Sequence, residues 1–292
     1  MTTEYLGVAS INGEITPLEK ATLPISDRGY LFGHSVFETL LINKGTLTHW
    51  EEHYIRLLFS CQEAFLEPPS KTELLFDINK TIAENIKLSG CISEKAQLRV
   101  IISGGNSFDL GIKKVAQKLP QSNVTIICRN VAGPSTNQYE HGITVKSLPD
   151  LRSPALINIK SCSYLYNLIA LEKAKNDGFD EALFYNTENI ITESTTANFI
   201  WFNDKYIIYS TPFKGSCLAG VTLQNLIQGL KKLTIPFDWN GLNRANISHV
   251  KGCGIISSIR GIVPISKIDH HSFDVLAMQS FFTKLNQALF LK

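Results

Sequence analysis

Alternating and clustered apolar residues predict that the first half of the chain mixes strands with helices. Two short apolar runs, residues 6–11 and 14–16, flank Asn12-Gly13, a dipeptide typical of a tight β-hairpin turn. Nearly continuous apolar runs predict further buried strands at residues 36–42, 97–103 and 123–131. The polar, glycine-containing stretch at residues 104–118 is long for a connection inside a compact domain, so it is a candidate functional loop.

Two amphipathic helices are predicted between these strands. The first begins with a capping pattern, Thr48 at the N-cap and Glu51 at the third position, and the second repeats it with Ser70 and Glu73. Apolar residues at helical spacing predict buried faces made by Trp50, Tyr54, Leu57, Leu58, Cys61 and Phe65, and by Leu74, Leu75, Ile78, Ile82 and Ile86. Helices packed on an antiparallel sheet make an α+β unit.

The second half is richer in predicted strands. They fall at residues 142–148, 181–185, 189–193, 206–209 and 252–257. Helices are predicted to begin at Gly220-Val221-Thr222 and to span residues 272–291. The stretch 132–137, with its glycine and proline, has the composition of a linker. We therefore predict two α+β domains, an N-terminal domain of residues 1–132 and a C-terminal domain of residues 133–292.

Composition narrows the class of protein. With 44% hydrophobic residues in 292, the chain can build substantial cores. Its net charge of +2 comes without a basic block, so no nucleic acid is expected as a partner. No apolar run is long enough to span a bilayer, and no cluster has the spacing of metal ligands. Six scattered cysteines without a Cys-x-x-Cys pair indicate reduced thiols and a cytoplasmic protein.

Lys160 is the first candidate for chemistry. An apolar, strand-like run at residues 155–159 precedes it, and Ser161 and Ser163 can cap a helix that follows. A lysine fixed at a strand end and partly removed from water should have a lowered pKa and a nucleophilic amine, as a Schiff-base lysine needs. Most lysines lie in solvent, so Lys160 alone does not establish a site.

Other residues could complete such a site. Val221 and Thr222 at a helix start offer backbone N–H groups and a hydroxyl, Ser258 offers a hydroxyl and Arg56 a charge, all suited to a phosphate. Glu193 could pair with a pyridine nitrogen, as pyridoxal phosphate chemistry requires. For each residue the alternative is a structural or solvated role. Asp27 and Arg28 lie side by side in a glycine-rich, aromatic stretch and predict a structural ion pair.

Motifs along nearly the whole chain resemble the class IV aminotransferases, the fold-type IV family of pyridoxal phosphate enzymes. The matching stretches are Ser26-Asp-Arg-Gly-Tyr-x-Phe-Gly33, Phe37-Glu-Thr39, His53-x-x-Arg-Leu57, Ile159-Lys-Ser161, Thr192-Glu-Ser194 with Asn198-Phe199, Gly220-Val-Thr222 and Val263-Pro-Ile265. They occur in the family's order. The family includes branched-chain aminotransferases, D-amino acid aminotransferases and aminodeoxychorismate lyases.

The resemblance implies roles for individual residues. Lys160 would form the Schiff base with pyridoxal 5′-phosphate and then move protons, and Glu193 would pair with the pyridine nitrogen. Arg56, Val221, Thr222 and Ser258 would hold the phosphate, and Tyr164 would hydrogen-bond the ring hydroxyl. The resemblance further implies a cofactor cleft between two α+β domains and a homodimer that acts on a small amine or amino acid.

Departures from the family's patterns favour one member. D-amino acid aminotransferases have a tyrosine where this chain has Phe37, and an arginine where it has Gly104-Gly105. Branched-chain enzymes differ at residues 39–41 and have a Gly-Thr-Ala turn where this chain has 257–261. That turn and the strand after Asn198 are more similar to aminodeoxychorismate lyases, which release pyruvate and 4-aminobenzoate for folate synthesis. The alternatives are an aminotransferase for D-amino or branched-chain amino acids and a catalytically silent binding protein.

Overall fold

A computed structural model describes residues 5–89, 95–112, 119–131 and 133–291. The chain divides into two compact units. The first comprises Met1–Gly133 together with Ile159–Ser163, and the second comprises Pro134–Asn158 together with Tyr164–Lys292. The segment that carries Lys160 therefore belongs to the first unit, whereas the predicted division assigned it to the C-terminal domain. Across the described ranges no helix is both long and apolar enough to cross a membrane.

The first unit is built on an antiparallel sheet. Its strands are β1 (Tyr5–Ile11), β2 (Glu14–Pro17), β3 (Ser35–Asn43), β4 (Thr46–Leu47), β5 (Lys95–Ser103) and β6 (Asn123–Asn130). In the part of the chain that is described, they lie in the order β2-β1-β6-β5-β3-β4. Its helices are α1 (Arg28–Phe32), α2 (Trp50–Glu63) and α3 (Lys71–Ser89), with a 3₁₀ turn at Leu18–Lys20.

The predicted hairpin at the start of the chain is confirmed. Ile11 pairs with Glu14 across the turn, and Asn12 and Gly13 have φ values of 52° and 82°. A two-residue turn with both residues in the left-handed region matches the twist of antiparallel strands, and asparagine and glycine tolerate that conformation best.

Strand alternation gives the first unit's sheet two different faces. Even-numbered residues of β3, β5 and β6 point into the core, where Leu40, Leu98 and Ile126 pack with residues of α2 and α3. Odd-numbered residues of the same strands, Phe37 and Arg99 among them, point to the opposite face. Glu38 is the charged exception on the core side and is only 1% exposed.

The two predicted helix starts have different outcomes. At the second, Ser70 and Glu73 form the predicted reciprocal capping bonds. At the first, the prediction is wrong, because the N-cap of α2 is His49 in a left-handed conformation with φ 53°. The Thr48 hydroxyl donates to the carbonyl of Leu41 instead, which ties the residue to β3.

The second unit is a mixed sheet with helices. Its strands are β7 (Ile143–Pro149), β8 (Glu181–Tyr185), β9 (Ile191–Ser194), β10 (Asn198–Phe202), β11 (Ile208–Ser210), β12 (Phe237–Trp239), β13 (Gly252–Ser257), β14 (Gly261–Ile268) and β15 (His271–Ser272). Its helices are α4 (Thr136–His141), α5 (Pro154–Ile157), α6 (Leu165–Asn176), α7 (Val221–Lys232) and α8 (Gln279–Ala288), with 3₁₀ turns at Arg244–His249 and Leu276–Met278. Helices beside sheets confirm the α+β class.

The strands of the second unit form a partly closed sheet. The described order is β12-β11-β10-β13-β14-β7-β8-β9, and β9 pairs again with β10. Because β9 and β10 meet, Glu193 and Asn198 are direct cross-strand partners. Between them, Ser194, Thr195 and Ala197 are buried, whereas Thr196 is exposed.

The segment before Lys160 is not a strand. Pro154–Ile157 forms the short helix α5, with Ser153 at its N-cap accepting a hydrogen bond from the backbone N–H of Ala155. Proline at the first helical position and serine before it are a helix-start signal, which outweighs a short apolar run.

The helix after Lys160 also differs from the prediction. Neither Ser161 nor Ser163 caps it, since α6 begins at Leu165 after the N-cap Tyr164. The Ser161 hydroxyl accepts from the backbone N–H of Ser163. The buried positions of α6 are Asn167, Ala170 and Ala174, whereas Leu165, Leu168 and Ile169 are exposed.

The C-terminal segment is less helical than predicted. Residues 272–291 contain the end of β15, a 3₁₀ turn and only the ten-residue helix α8. Phe282 and Leu285 of α8 are nevertheless buried, with Leu226 of α7 in the same core cluster.

Candidate active site

Lys160 lies beside the strand that carries the Phe37-Glu38 motif. The Lys160 carbonyl accepts a hydrogen bond from the backbone N–H of Phe37 at 2.9 Å, and its own N–H donates to the Ser60 hydroxyl at 3.2 Å. The next residue but one, Cys162, donates its N–H to the Ser35 carbonyl. These bonds fix the lysine backbone against β3 and α2, so its position is rigid although no strand delivers it.

The Lys160 amine rests against an aromatic ring. Its Nζ lies 4.6 Å from the centroid of Phe37, and Cζ of Arg99 lies 4.1 Å from the same centroid. A phenyl ring attracts cations through its quadrupole, so the Phe37 ring is a favourable contact for the Arg99 guanidinium. The sequence analysis did not single out Arg99, although an arginine between Leu98 and Val100 in a predicted strand was a visible signal.

Arg56 is held by a buried carboxylate. Its Nε donates to Oε1 of Glu38 at 2.8 Å and its Nη2 to Oε2 at 2.7 Å, while Nδ1–H of His53 donates to Oε2 at 2.7 Å. Burial opposes ionisation of Glu38, but Arg56 and His53 outweigh it and lower the carboxyl pKa well below its usual range. The arginine predicted to clamp a phosphate is therefore fixed in orientation by Glu38.

His53 is buried and neutral in this network. Burial lowers the pKa of its imidazole, with Glu38 opposing the shift and the charges of Arg56 and Lys160 adding to it. The neutral ring can donate one proton to Glu38, which fixes its tautomer. His53 and Arg56, from two successive turns of α2, thus both donate hydrogen bonds to the Glu38 carboxylate.

Asp27 and Arg28 do not pair with each other. The Asp27 carboxylate caps α1 by accepting the N–H groups of Gly29 and Tyr30, and it also accepts from Ser103 and Asn123. The Arg28 guanidinium binds the carbonyls of Asp109 and Leu110. The predicted ion pair is wrong, and Arg28 instead anchors the described part of the 104–118 loop; residues 113–118 lie outside the described residues.

Gly104 and Gly105 leave no room for side chains. A Cβ atom at Gly104 would lie 2.3 Å from Nδ1 of His34, and one at Gly105 would lie 2.0 Å from the Gln121 carbonyl oxygen. Gly105 also has φ +70°, a conformation that favours glycine. An arginine at this point of the chain would require a different loop path.

Glu193 lies in the second unit and is buried. Its Oε1 accepts from Nη1 of Arg152 at 2.9 Å and its Oε2 from the Leu218 N–H at 3.1 Å, and Asp150 pairs with Arg152. Burial raises the pKa of the Glu193 carboxyl, and Arg152 and Leu218 limit the rise. The surroundings orient the carboxylate and keep water away, as expected for a partner of a buried ring nitrogen.

The start of α7 forms an anion-binding arrangement with the turn after β13. Gly220 is the N-cap of α7 and makes no side-chain capping bond, and Thr222 lies in the first turn. The Thr222 hydroxyl is 3.0 Å from the Ser258 hydroxyl. A Cβ at Gly220 would lie 1.8 Å from Oδ1 of Asn198, so the backbone there approaches β10 closely. The backbone N–H groups of a helix's first turn, together with two neighbouring hydroxyls, suit a phosphate.

Tyr164 and Arg260 border the polar stretch after Glu193. The Tyr164 hydroxyl donates to the Thr195 carbonyl at 2.5 Å. Arg260 donates to the buried carboxylate of Glu181 at 3.5 Å and bonds the Thr196 hydroxyl. The sequence analysis missed this second network, although a glutamate opening an apolar strand was a visible signal.

The predicted residues thus fall into two groups. The first unit contains Lys160 and Arg56. Both residues form hydrogen bonds with β3, and the Lys160 backbone also bonds Ser60 of α2, the helix that carries Arg56. The second unit contains Glu193, Tyr164, Val221, Thr222 and Ser258, of which Thr222 and Ser258 are in direct contact.

The chain belongs to the class IV aminotransferase family. The model of amino-transferase class IV matches residues 35–268, well over half of the 292. Like the other members of the family, it is a pyridoxal-phosphate-dependent enzyme.

Individual relatives differ in their assigned activities. The D-alanine aminotransferase of Bacillus licheniformis is 25% identical over 265 residues, covering 88% of this chain and 87% of the relative. A hypothetical aminotransferase from Mycobacterium tuberculosis in its PLP-bound form has a TM-score of 0.84 at 19% identity, covering 97% and 99%. A putative 4-amino-4-deoxychorismate lyase from Legionella pneumophila has a TM-score of 0.78 at 24% identity, covering 93% and 97%. The two structural likenesses show the shared fold.

Proposed function

We propose that the protein is a 4-amino-4-deoxychorismate lyase, which releases pyruvate and leaves 4-aminobenzoate. The observation that carries the proposal is the first unit's cation arrangement. Gly104 and Gly105 exclude the arginine with which a D-amino acid aminotransferase would grip its substrate, and Arg99 stands beside Phe37 instead. A guanidinium there can bind a carboxylate of a larger, cyclic substrate.

The residues present fit pyridoxal phosphate. The uncapped start of α7 and the hydroxyls of Thr222 and Ser258 supply donors for the phosphate, and Val221 supplies a backbone N–H. Arg56, oriented by Glu38, adds a guanidinium. We assign Tyr164 to the ring hydroxyl and the buried Glu193 to the pyridine nitrogen.

The chemistry divides between the cofactor and the chain. Bound pyridoxal phosphate supplies an electron-withdrawing ring that stabilises negative charge on the substrate carbon. Lys160 is the residue that would hold the cofactor through its Nζ atom, and its amine would take the proton from the substrate ring carbon that carries nitrogen. The carbon–oxygen bond to the enolpyruvyl group then breaks, and the departing enolpyruvate takes up a proton to become pyruvate.

Glu193 and Phe37 assist Lys160 in different ways. Glu193 keeps the pyridine nitrogen protonated, because a buried anion without water strongly favours a cation beside it. The Phe37 ring contacts the Lys160 amine and limits the directions in which it can point. The backbone bonds of Lys160 to Phe37 and Ser60 keep the lysine in register for repeated proton transfers.

An aminotransferase is the second candidate, favoured by the similarity to D-alanine aminotransferases. In that reaction Lys160 would return the proton to the cofactor side and the enzyme would need an amino acceptor. The test compares kcat/KM for aminodeoxychorismate alone with kcat/KM for D-alanine and for leucine. The two amino acids are assayed with 2-oxoglutarate as the amino acceptor. The proposal expects turnover with aminodeoxychorismate that needs no acceptor; acceptor-dependent turnover of an amino acid alone would overturn it.

We further propose that the enzyme acts as a homodimer. Leu165, Leu168 and Ile169 form an exposed apolar stripe on α6, which is a costly surface for an isolated chain in water. Sedimentation velocity of the purified protein tests this, with a mass twice the 32.5 kDa chain expected. A monomer at all micromolar concentrations would contradict it.

A further inference from the structure

Among the described residues, the side chains of two arginines on the first unit's sheet have no acidic partner. Of the chain's arginines, Arg56, Arg152, Arg244 and Arg260 pair with carboxylates. Within residues 5–89, 95–112, 119–131 and 133–291, the Arg99 side chain makes no hydrogen bond or ion pair, and the Arg129 side chain makes one hydrogen bond, to Gln97. The Nε atoms of both are buried and without a partner among the described residues.

These two arginines lie on the same face of adjacent strands. In the register of β5 and β6, Arg99 faces Ile127 and Gln97 faces Arg129. Arg99 and Arg129 are therefore diagonal neighbours, with backbone positions about 7–8 Å apart. Nη2 of Arg129 donates to Oε1 of Gln97 at 2.7 Å, which keeps its side chain on the face that Arg99 and Phe37 share.

Like charges at neighbouring positions of a sheet repel each other, and buried donors without acceptors are unfavourable. An anion with two carboxylates, one at each guanidinium, would offset the repulsion and give both charged groups hydrogen-bond acceptors. A single carboxylate would satisfy only one of the two. The Phe37 ring beside Arg99 adds a flat apolar contact that suits a cyclic body between the carboxylates.

We propose that Arg99 and Arg129 form a dicarboxylate-binding pair, with Arg129 as the residue that selects substrates carrying a second carboxylate. The inference rests on the proposed function and sharpens it, because aminodeoxychorismate carries one carboxylate on its ring and another on its enolpyruvyl group. Alanine and leucine carry a single carboxylate, so Arg129 should not increase the affinity for them. Gln97 is the positioning residue that orients Arg129.

The test uses two ligands that differ by one carboxylate. Isophthalate and benzoate are titrated calorimetrically into the holoenzyme and into Arg129→Met, Arg99→Met and Lys20→Met proteins. Lys20 is exposed and its replacement controls for the loss of one positive charge. The wild type should bind isophthalate about ten- to hundredfold more tightly than benzoate. Arg129→Met should remove this preference and Lys20→Met should keep it.

Substrate kinetics give a second readout. Arg129→Met should raise KM for aminodeoxychorismate about ten- to hundredfold while kcat changes little, and Arg129→Lys should restore only part of the affinity because a lysine lacks the planar fork. Equal binding of the two acids by the wild type, no measurable isophthalate binding, or an unchanged preference in Arg129→Met would each overturn the inference. Failure of the wild type to use aminodeoxychorismate would refute the lyase while leaving the calorimetric result to decide on the pair.

Discussion

Replacing Glu38 with glutamine should destabilise the protein far more than the same change at a surface pair. Glu38 is 1% exposed and receives three hydrogen bonds, from Nε and Nη2 of Arg56 and Nδ1 of His53. Removing its charge takes a carboxylate away from the Arg56 guanidinium, whose side chain is only 10% exposed. Breaking a buried pair costs about 3–5 kcal/mol, and because glutamine keeps one acceptor we expect a loss of about 2–4 kcal/mol.

Urea unfolding followed by circular dichroism measures this change. The matched control is Glu51→Gln, which breaks the exposed pair with Lys71 and should cost about 0–1 kcal/mol. The pKa of Glu38 is lowered from 4.5, so the stabilisation by the ionised form is present above pH 4.5 and declines as the pH falls below it. The difference between wild type and Glu38→Gln should therefore shrink in acid. Equal losses for the two variants at neutral pH would refute the account of the Glu38 network.

Three further substitutions test the proposed site. Lys160→Ala should abolish turnover and remove the visible absorption band of the bound cofactor; residual catalytic turnover would exclude Lys160 as the nucleophile. Glu193→Gln should lower kcat about 10²–10³-fold with the cofactor still bound, because the ring nitrogen loses its anionic partner, and a rate equal to wild type would remove Glu193 from the mechanism. Ser258→Ala should weaken cofactor binding about tenfold or more in a fluorescence titration of the apoenzyme, while leaving affinity for phosphate-free pyridoxal unchanged; equal losses for both ligands would argue against phosphate contact.

The site residues were predictable where a motif fixes both residue type and local structure. The helix start at Gly220-Val221-Thr222 was predicted from glycine followed by an amphipathic run, and α7 begins there. The Ser70 and Glu73 cap was predicted for the same reason. Such signals are local, so a few residues suffice to specify them.

Other features depend on tertiary packing that local patterns do not encode. Leu165, Leu168 and Ile169 are large apolar residues of α6, yet they are exposed, and Ala170 and Ala174 are buried instead, in one cluster with Ala182 and Phe184 of β8. Close packing of a helix on a sheet favours small residues, and hydrophobicity alone ranks leucine first.

The partners of charged residues were also beyond local reasoning. Arg56 and Glu38 are 18 residues apart and meet only because α2 packs on the core face of β3. Arg28 was expected to pair with its neighbour Asp27, but it binds loop carbonyls more than 80 residues away. The partner of each arginine can be identified only from the tertiary structure, since the sequence contains several carboxylates and many carbonyls that could pair with it.

The most direct test of the lyase proposal follows both products at once. Purified holoenzyme is given aminodeoxychorismate without any amino acceptor, and pyruvate and 4-aminobenzoate are measured over many turnovers, with Lys160→Ala as the inactive control. The proposal predicts equal amounts of both products, well above the enzyme concentration. Absence of both products from an enzyme that retains its cofactor absorption band would contradict it.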